Sequence, residues 1–359
     1  MRLGIIGLPN SGKTTIFNAL TRSNRPTGAV SSGKMEVFTA VVPVPDPRVD
    51  ILSKMFNPKK TIYATITYTD IGGLEKSVGA SGLSGELRNQ LQQVDGFIHV
   101  VRVFEDDTVP HPDVTIDPAR DVNTLDSEFL LSDLITIEKR IERLAEELKK
   151  GKHVNKVAHE LETALLERFK KQLDDLQPLR DLDVTEDEDK MVRGYGLMSL
   201  KPMLVIFNTG ETNRHPEDIM QYEHKNTRMV SLQGRIEAEI AQLEGDDQKM
   251  FLDEYGIEEP SANRVIRESY ELMHLQSFFT VGEDEVRAWT VPSNATAQEA
   301  AGTIHTDLSR GFIRAEVTAY HDLIAAGNMN EVKKLGQMRL EGKEYPVKDG
   351  DILNIRAAT

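Results

Sequence analysis

Apolar runs and helical spacing alternate along the first part of the chain. Leu3-Gly4-Ile5-Ile6 reads as a buried strand, and Thr14 to Leu20 as the start of a helix. Glu36 to Val44 and Ile62 to Thr69 are β-branched or alternating segments, and Pro43-Val44-Pro45-Asp46-Pro47 punctuates a turn between them. Phe97-Ile98-His99-Val100-Val101 and Pro202 to Phe207 are apolar at nearly every position, as expected of parallel strands covered on both faces. Met229-Val230-Ser231-Leu232 is a shorter strand. This alternation predicts an α/β domain built on a mainly parallel sheet.

A different period interrupts it. Leu130, Leu134, Ile137, Ile141, Leu144 and Leu148 recur every three or four positions, Gly151 breaks the stripe, and Val157, Leu161, Leu165, Phe169, Leu173 and Leu176 resume it. Two amphipathic helices around a short turn form an antiparallel hairpin. Thr185 before Glu186-Asp187-Glu188 has the character of an N-cap and an acidic first turn. A helical domain is therefore expected at 118–200, inserted into a sheet domain made of 1–117 and 201–274. The remainder, 275–359, reads as a small α+β domain. Glu285 to Pro292 alternates, Ala297 to Leu308 is helical in character, and Val347 to Ile355 is a turn feeding a last strand.

Composition adds bounds. At 359 residues with 39% hydrophobic and 28% charged positions, the chain is an ordinary globular protein of two or three domains. Its net charge of −15 opposes wrapping by DNA or RNA and adhesion to an acidic membrane surface. The absence of cysteine excludes disulfides and thiolate metal sites. No signal peptide is apparent and no apolar run nears the ~20 residues of a membrane span. A cytoplasmic location, no membrane or DNA partner and a monomeric chain are the expectations.

The chemistry is concentrated in a few motifs. Gly7-Leu8-Pro9-Asn10-Ser11-Gly12-Lys13-Thr14 fits G-x-x-x-x-G-K-[ST] between a strand and a helix. Backbone N–H groups of Asn10, Ser11, Gly12, Lys13, Thr14 and Thr15 would cradle phosphates. Lys13 would neutralise developing charge, and the Thr14 hydroxyl would hold Mg²⁺. Asp70-Ile71-Gly72-Gly73 fits D-x-x-G, with Asp70 supporting the metal and the Gly73 N–H meeting a γ-phosphate. Leu74 follows where a water-orienting Gln stands in Ras-like proteins, which implies slow hydrolysis. His111 is either a surface-loop histidine or a group that positions the attacking water. The guanine-reading N-K-x-D is replaced by Asn208-Thr209-Gly210-Glu211. Without the Lys, and with a carboxylate one methylene longer, guanine selectivity weakens, and Asn208 and backbone groups could read adenine. Ser231 would sit in a base-contacting loop after the next strand.

With these elements the chain resembles the Obg-like ATPase family, the YchF group of P-loop NTPases, over essentially its whole length. The resemblance rests on the phosphate loop, Val41-Val42-Pro43 with Pro45-Asp46-Pro47-Arg48, Asp70 to Leu74, Phe104-Glu105-Asp106-Asp107 and Asn208 to Glu211. Its most specific part is the run from Glu285-Val286-Arg287-Ala288-Trp289-Thr290 through Gly302 to Asp307 and Gly311 to Ala315. That run is similar to the family's TGS domain, a β-grasp module. The resemblance implies a Ras-like G domain, slow ATP hydrolysis with GTP a weaker ligand, Mg²⁺ as cofactor and a regulatory role. It also implies ribosome association through the helical and TGS domains. It assigns His111 a part in hydrolysis, sets Phe104 beside the base and brings the Thr209 backbone and Glu211 to it.

One segment departs from the family pattern. A Thr that helps hold Mg²⁺ in the first switch is replaced by Lys34, leaving Ser32, Lys34 and Thr39 as candidates for parts of that role. Gly210 is also expected to add flexibility where the base is held. For a ribosomal RNA partner, 275–359 carries nine basic and twelve acidic residues, whereas Glu138 to Lys156 has seven basic and four acidic. Lys149, Lys150, Lys152 and Lys156 are either a solvated helix tip or an RNA contact. Two functions follow. One is a slowly hydrolysing, ribosome-associated ATPase; the other is a nucleotide-dependent docking module with negligible turnover.

Overall fold

A computed structural model describes residues 1–27, 37–72, 83–149, 156–254, 257 and 259–358. They form two compact units, Met1–Ala40 with Thr67–Val265, and Val41–Ile66 with Ile266–Thr359. The chain begins β1 (Arg2–Ile6), α1 (Lys13–Thr21), β2 (Val37–Pro43), α2 (Pro47–Phe56), β3 (Lys60–Ile62), β4 (Thr65–Ile71), α3 (Gly85–Gln92) and β5 (Gly96–Arg102). It continues α4 (Pro118–Lys149), α5 (Lys156–Asp174), α6 (Glu186–Val192), β6 (Met203–Asn208), β7 (Thr227–Leu232), α7 (Gly234–Ile240), α8 (Gly245–Glu254) and α9 (Ser261–Leu272). It ends β8 (Leu275–Val281), β9 (Glu285–Pro292), α10 (Ala297–Ile304), α11 (Thr306–Arg310), β10 (Phe312–Ala319), α12 (Tyr320–Ala326), α13 (Met329–Lys334), β11 (Arg339–Glu341) and β12 (Asp351–Ala357).

The first sheet has the order β2-β4-β1-β5-β6-β7. β1 pairs in parallel with β4 and β5, β5 with β6, and β6 with β7. The apolar runs explain the arrangement: every residue of β5 and β6 is buried. Covering both faces of these strands requires helices on both sides. The strand ends carrying the phosphate loop, Asp70 and Asn208 therefore meet at the carboxyl edge, where ligands bind in open α/β sheets.

One continuous helix serves two cores. Val122, Leu125 and Phe129 of α4 pack with Ile6, Phe97 and Val205 of the sheet. Ile137 and Leu144, further along, pack with Leu165, Leu166, Phe169 and Leu173 of α5. The pairs Arg140–Glu162 at 2.7 Å and Leu144 O–His159 Nε2 at 3.0 Å show α4 and α5 running antiparallel. The apolar stripe outruns the core it builds: Leu148, Val157, Leu161 and Leu176 are all more than half exposed. Gly151, the expected turn, lies outside the described residues. At the root, buried Arg180 donates to Asp126 (3.0 Å) and the Tyr222 hydroxyl (2.7 Å), joining the hairpin to the sheet. Thr185 and Glu188 form a reciprocal capping box on α6.

The second unit has a six-stranded sheet in the order β11-β10-β12-β8-β9-β3. Two expectations need correction here. Ile62 to Thr69 is not one strand: β3 pairs in parallel with β9 through Lys60–Glu285 and Ile62–Arg287, while β4 pairs with β1. Alternation marks a strand but carries no information about its partner. Ala297 to Leu308 is likewise two helices, because His305 is extended (φ −163°, ψ 140°) and its Nδ1 accepts from the Asp307 N–H to cap α11. Asp46 also starts a helix: it caps α2 with Pro47 at the first position. Among the described residues no helix is long and apolar enough to cross a membrane.

Candidate functional site

The loop between β1 and α1 is shaped by its glycines and by Asn208. Gly12 has φ +93°, and a Cβ there would lie 2.2 Å from Asn208 Nδ2, so only glycine fits. Asn208, at the end of β6, donates to Ser11 O (3.0 Å) and accepts from the Gly210 N–H (3.2 Å). It thereby ties the phosphate loop to the base-side loop. Asn10 takes a left-handed φ of 61° and donates to Pro110 O (2.9 Å), linking the loop to the segment after β5. Ser11 is buried, and its Oγ has no partner among the described residues. Lys13 Nζ donates to Gly7 O (2.9 Å) and Leu8 O (2.8 Å), so the ammonium lies within the loop. Thr15 is half-buried in the first turn of α1.

Beside the loop, the Thr14 hydroxyl donates to Asp70 Oδ2 at 3.2 Å. With its hydrogen directed at the carboxylate, the Thr14 oxygen keeps its lone pairs for a cation. A hydroxyl and a carboxylate are the hard oxygen donors a Mg²⁺–phosphate complex takes. Among the described residues no group of three or more His, Asp or Glu gathers elsewhere as a metal site. Asp70 Oδ2 also receives the Arg25 guanidinium at 2.7 Å. Thr39 is engaged on its own sheet edge, its hydroxyl 3.2 Å from that of Thr69. Ser32, Lys34, Gly73 and Leu74 lie outside the described residues.

On the base side, the structure assigns Gly210 a different part from the expected loosening. Its φ is +69°, and a Cβ would approach Phe104 Cβ to 2.8 Å, so glycine here fixes a close contact. Phe104 is half-buried, with the Arg102 guanidinium 4.5 Å from its ring centroid. Arg102 itself builds the 103–110 loop, donating to the carbonyls of Phe104 (3.1 Å), Val109 (2.8 Å) and Asp106 (3.3 Å). The Thr209 N–H donates to Leu232 O (3.0 Å), and its carbonyl accepts from Thr212. The Glu211 carboxylate is 3.1 Å from Arg235. Ser231 lies inside β7 opposite Phe207, not after the strand, because the ladder continues to Leu232. The loop begins instead at Gln233, whose amide donates to Glu211 O (2.7 Å).

His111 is held firmly. Its Nε2 lies 2.9 Å from Asp121 Oδ2 and its Nδ1 accepts from the Asp113 N–H at 3.1 Å. Only 3% of its side chain is exposed, and Arg120 braces the other Asp121 oxygen. Arg25, Arg102, Asp121, Gln233 and Arg235 were not singled out from the sequence. Their roles arise from through-space partners; only the closeness of Arg102 to Phe104 was a usable signal.

Sheet order, glycine-shaped loop, lysine and Thr–Asp pair together define a P-loop NTPase. A family model described as 50S ribosome-binding GTPase matches residues 2–111. A second, YchF-GTPase_C, described as a protein of unknown function (DUF933), matches residues 275–358. The "Ribosome-binding ATPase YchF" of Bacillus subtilis (strain 168) is 40% identical over 362 residues, covering 98% of both chains. That of Escherichia coli O157:H7 is 39% identical over 359 residues, again covering 98% of each. The Schizosaccharomyces pombe YchF GTPase superposes with a TM-score of 0.85 at 28% identity, over 99% of this chain and 97% of that one. The chain belongs to the YchF family.

Proposed function

We propose that this protein is a slowly hydrolysing ATPase whose nucleotide state governs its association with the ribosome. The observation that carries the reading is the pairing of Thr14 with Asp70 at 3.2 Å beside a loop that encloses Lys13. Backbone N–H groups from Asn10 to Thr15 hold the phosphates, and Lys13 stabilises charge on them. Thr14 and Asp70 would hold Mg²⁺, which would neutralise charge on the phosphate oxygens. Preference for ATP is supported by the base side. The element after β6 is Asn208-Thr209-Gly210-Glu211, which lacks the guanine-side Lys and sets its carboxylate one methylene further out, weakening its use as the acceptor of guanine N1–H and 2-amino groups. The relatives' names divide between ATPase and GTPase, so the ATP reading rests on this chain's own residues. In this reading 1–117 and 201–274 carry the nucleotide, while 118–200 and 275–359 dock.

A second reading, a docking module with negligible turnover, is favoured by one observation: both His111 ring nitrogens are engaged by Asp121 and Asp113. A histidine held this way must leave Asp121 to orient water. Single-turnover hydrolysis with and without ribosomes separates the two. The ATPase reading expects cleavage that ribosomes accelerate and His111→Ala abolishes. The docking reading expects nucleotide-dependent ribosome binding with no cleavage in either case.

A further inference from the structure

Asp70 Oδ2 accepts from two donors of different kinds. The Thr14 hydroxyl is 3.2 Å away, as a metal-supporting pair requires, and the Arg25 guanidinium is 2.7 Å away. Only 7% of the Asp70 side chain and 22% of that of Arg25 are exposed, so the contact is poorly screened by solvent. Arg25 is also positioned from behind. Its guanidinium carbon lies 3.2 Å from the Phe38 ring centroid and 5.7 Å from that of Phe17. Its backbone is fixed to α1, where Asn18 accepts from the Arg25 N–H (3.1 Å) and donates to the Arg25 carbonyl (2.9 Å). A side chain clamped by an aromatic face, a carboxylate and a backbone bracket is a built feature, not an incidental surface ion pair.

We propose that Arg25 is an internal cation that competes with Mg²⁺ for Asp70 and so sets how much Mg²⁺ the nucleotide site demands. A guanidinium at Asp70 Oδ2 and a divalent ion held by Thr14 and Asp70 would be like charges within a few ångströms on one carboxylate, which disfavours their joint occupancy. Mg²⁺ binding therefore favours Arg25 swinging off Asp70, and the Phe38 contact opposes that movement. Phe38 lies in β2, the strand following the first switch, so displacement of Arg25 also perturbs the strand leading from it. Metal occupancy at Asp70 is thus coupled to β2 through a side chain of this chain, independently of the residue that replaces the switch threonine.

The inference rests on the site binding a Mg²⁺–nucleotide. The full-length protein is first titrated with a fluorescent ATP analogue at saturating Mg²⁺; failure of the wild type to bind overturns the proposed function itself. Given binding, Mg²⁺ is titrated into the analogue complexes of wild type, Arg25→Gln, Arg25→Lys and Phe38→Leu, with fluorescence as the readout. Arg25→Gln is expected to need roughly three- to tenfold less Mg²⁺. Phe38→Leu, which only frees the guanidinium, should shift the same way by less, and Arg25→Lys should fall between wild type and Gln. An unchanged or increased Mg²⁺ requirement in both Arg25→Gln and Phe38→Leu overturns the proposal. So does loss of Mg²⁺-free nucleotide affinity in folded Arg25→Gln, because that makes Arg25 a phosphate ligand instead.

Discussion

Asn208 holds the phosphate loop and the base-side loop with one amide, and both ends of that amide are engaged. Asn208→Ala leaves the Ser11 carbonyl and the Gly210 N–H without this partner in a buried place. The expected cost is about 1–3 kcal/mol in urea unfolding, together with a nucleotide affinity lowered at least tenfold by titration. Full affinity in the variant would mean that the bracket does not shape the loop. His99 supplies the pH dependence. It is fully buried in β5, and both ring nitrogens lack partners among the described residues. Burial lowers its pKa from 6.5 to about 4, outweighing the Asp126 carboxylate, which raises it, while the Lys13 and Arg180 charges add to the lowering. The unfolded chain takes up a proton below 6.5 while the folded chain stays neutral to about 4. The His99 contribution is therefore complete above 6.5 and lost as pH falls towards 4. At pH 5 the loss is about 2 kcal/mol. His99→Leu should flatten the fall in stability between pH 7 and pH 5 by that amount; an unchanged slope would place the titration elsewhere. At this scale the phosphate loop and Asp70 were legible because a fixed spacing encodes them. Arg25 and Asp121 were not, since their partners stand 45 and 10 residues away and no local pattern announces either pair.

At the scale of elements, the strands of the first sheet follow directly from their apolar runs, and the hairpin from its stripes. What the stripes conceal is where they stop doing structural work. Leu148, Val157 and Leu161 keep the helical period but stay exposed. They lie close in sequence to Lys149 and Lys156. The proposed ribosome contact would fall at this apolar and basic end. Charge reversal at Lys149, Lys150 and Lys152 should weaken ribosome co-sedimentation severalfold and flatten its salt dependence, with nucleotide binding intact. Unchanged co-sedimentation would remove the hairpin from the docking surface. Where the elements depart from the sequence pattern, the cause is also physical. β3 and β4 look like one strand because Tyr63 and Ala64 do not break the apolar pattern, yet the two strands pair in different sheets. The helix expected at 297–308 divides at His305, whose extended backbone is stabilised by its own cap.

For the whole molecule, the similarity to the YchF relatives runs over nearly the full length of the chain and so spans both compact units. Composition alone could not place Val41–Ile66, which belongs to the same compact unit as the last 94 residues. Arg48 of α2 reaches Asp349 there at 2.6 Å, a contact between positions 301 apart in sequence. The central claim is that this site binds adenine nucleotide in preference to guanine and turns it over slowly. It is tested most directly by titrating ATP and GTP side by side into wild type and Lys13→Ala in the presence of Mg²⁺, with phosphate release followed in the same samples. The account predicts tighter binding of ATP than GTP, slow release of phosphate from ATP, and neither binding nor release in Lys13→Ala. Tighter binding of GTP, or ATP hydrolysis that survives loss of Lys13, would contradict it.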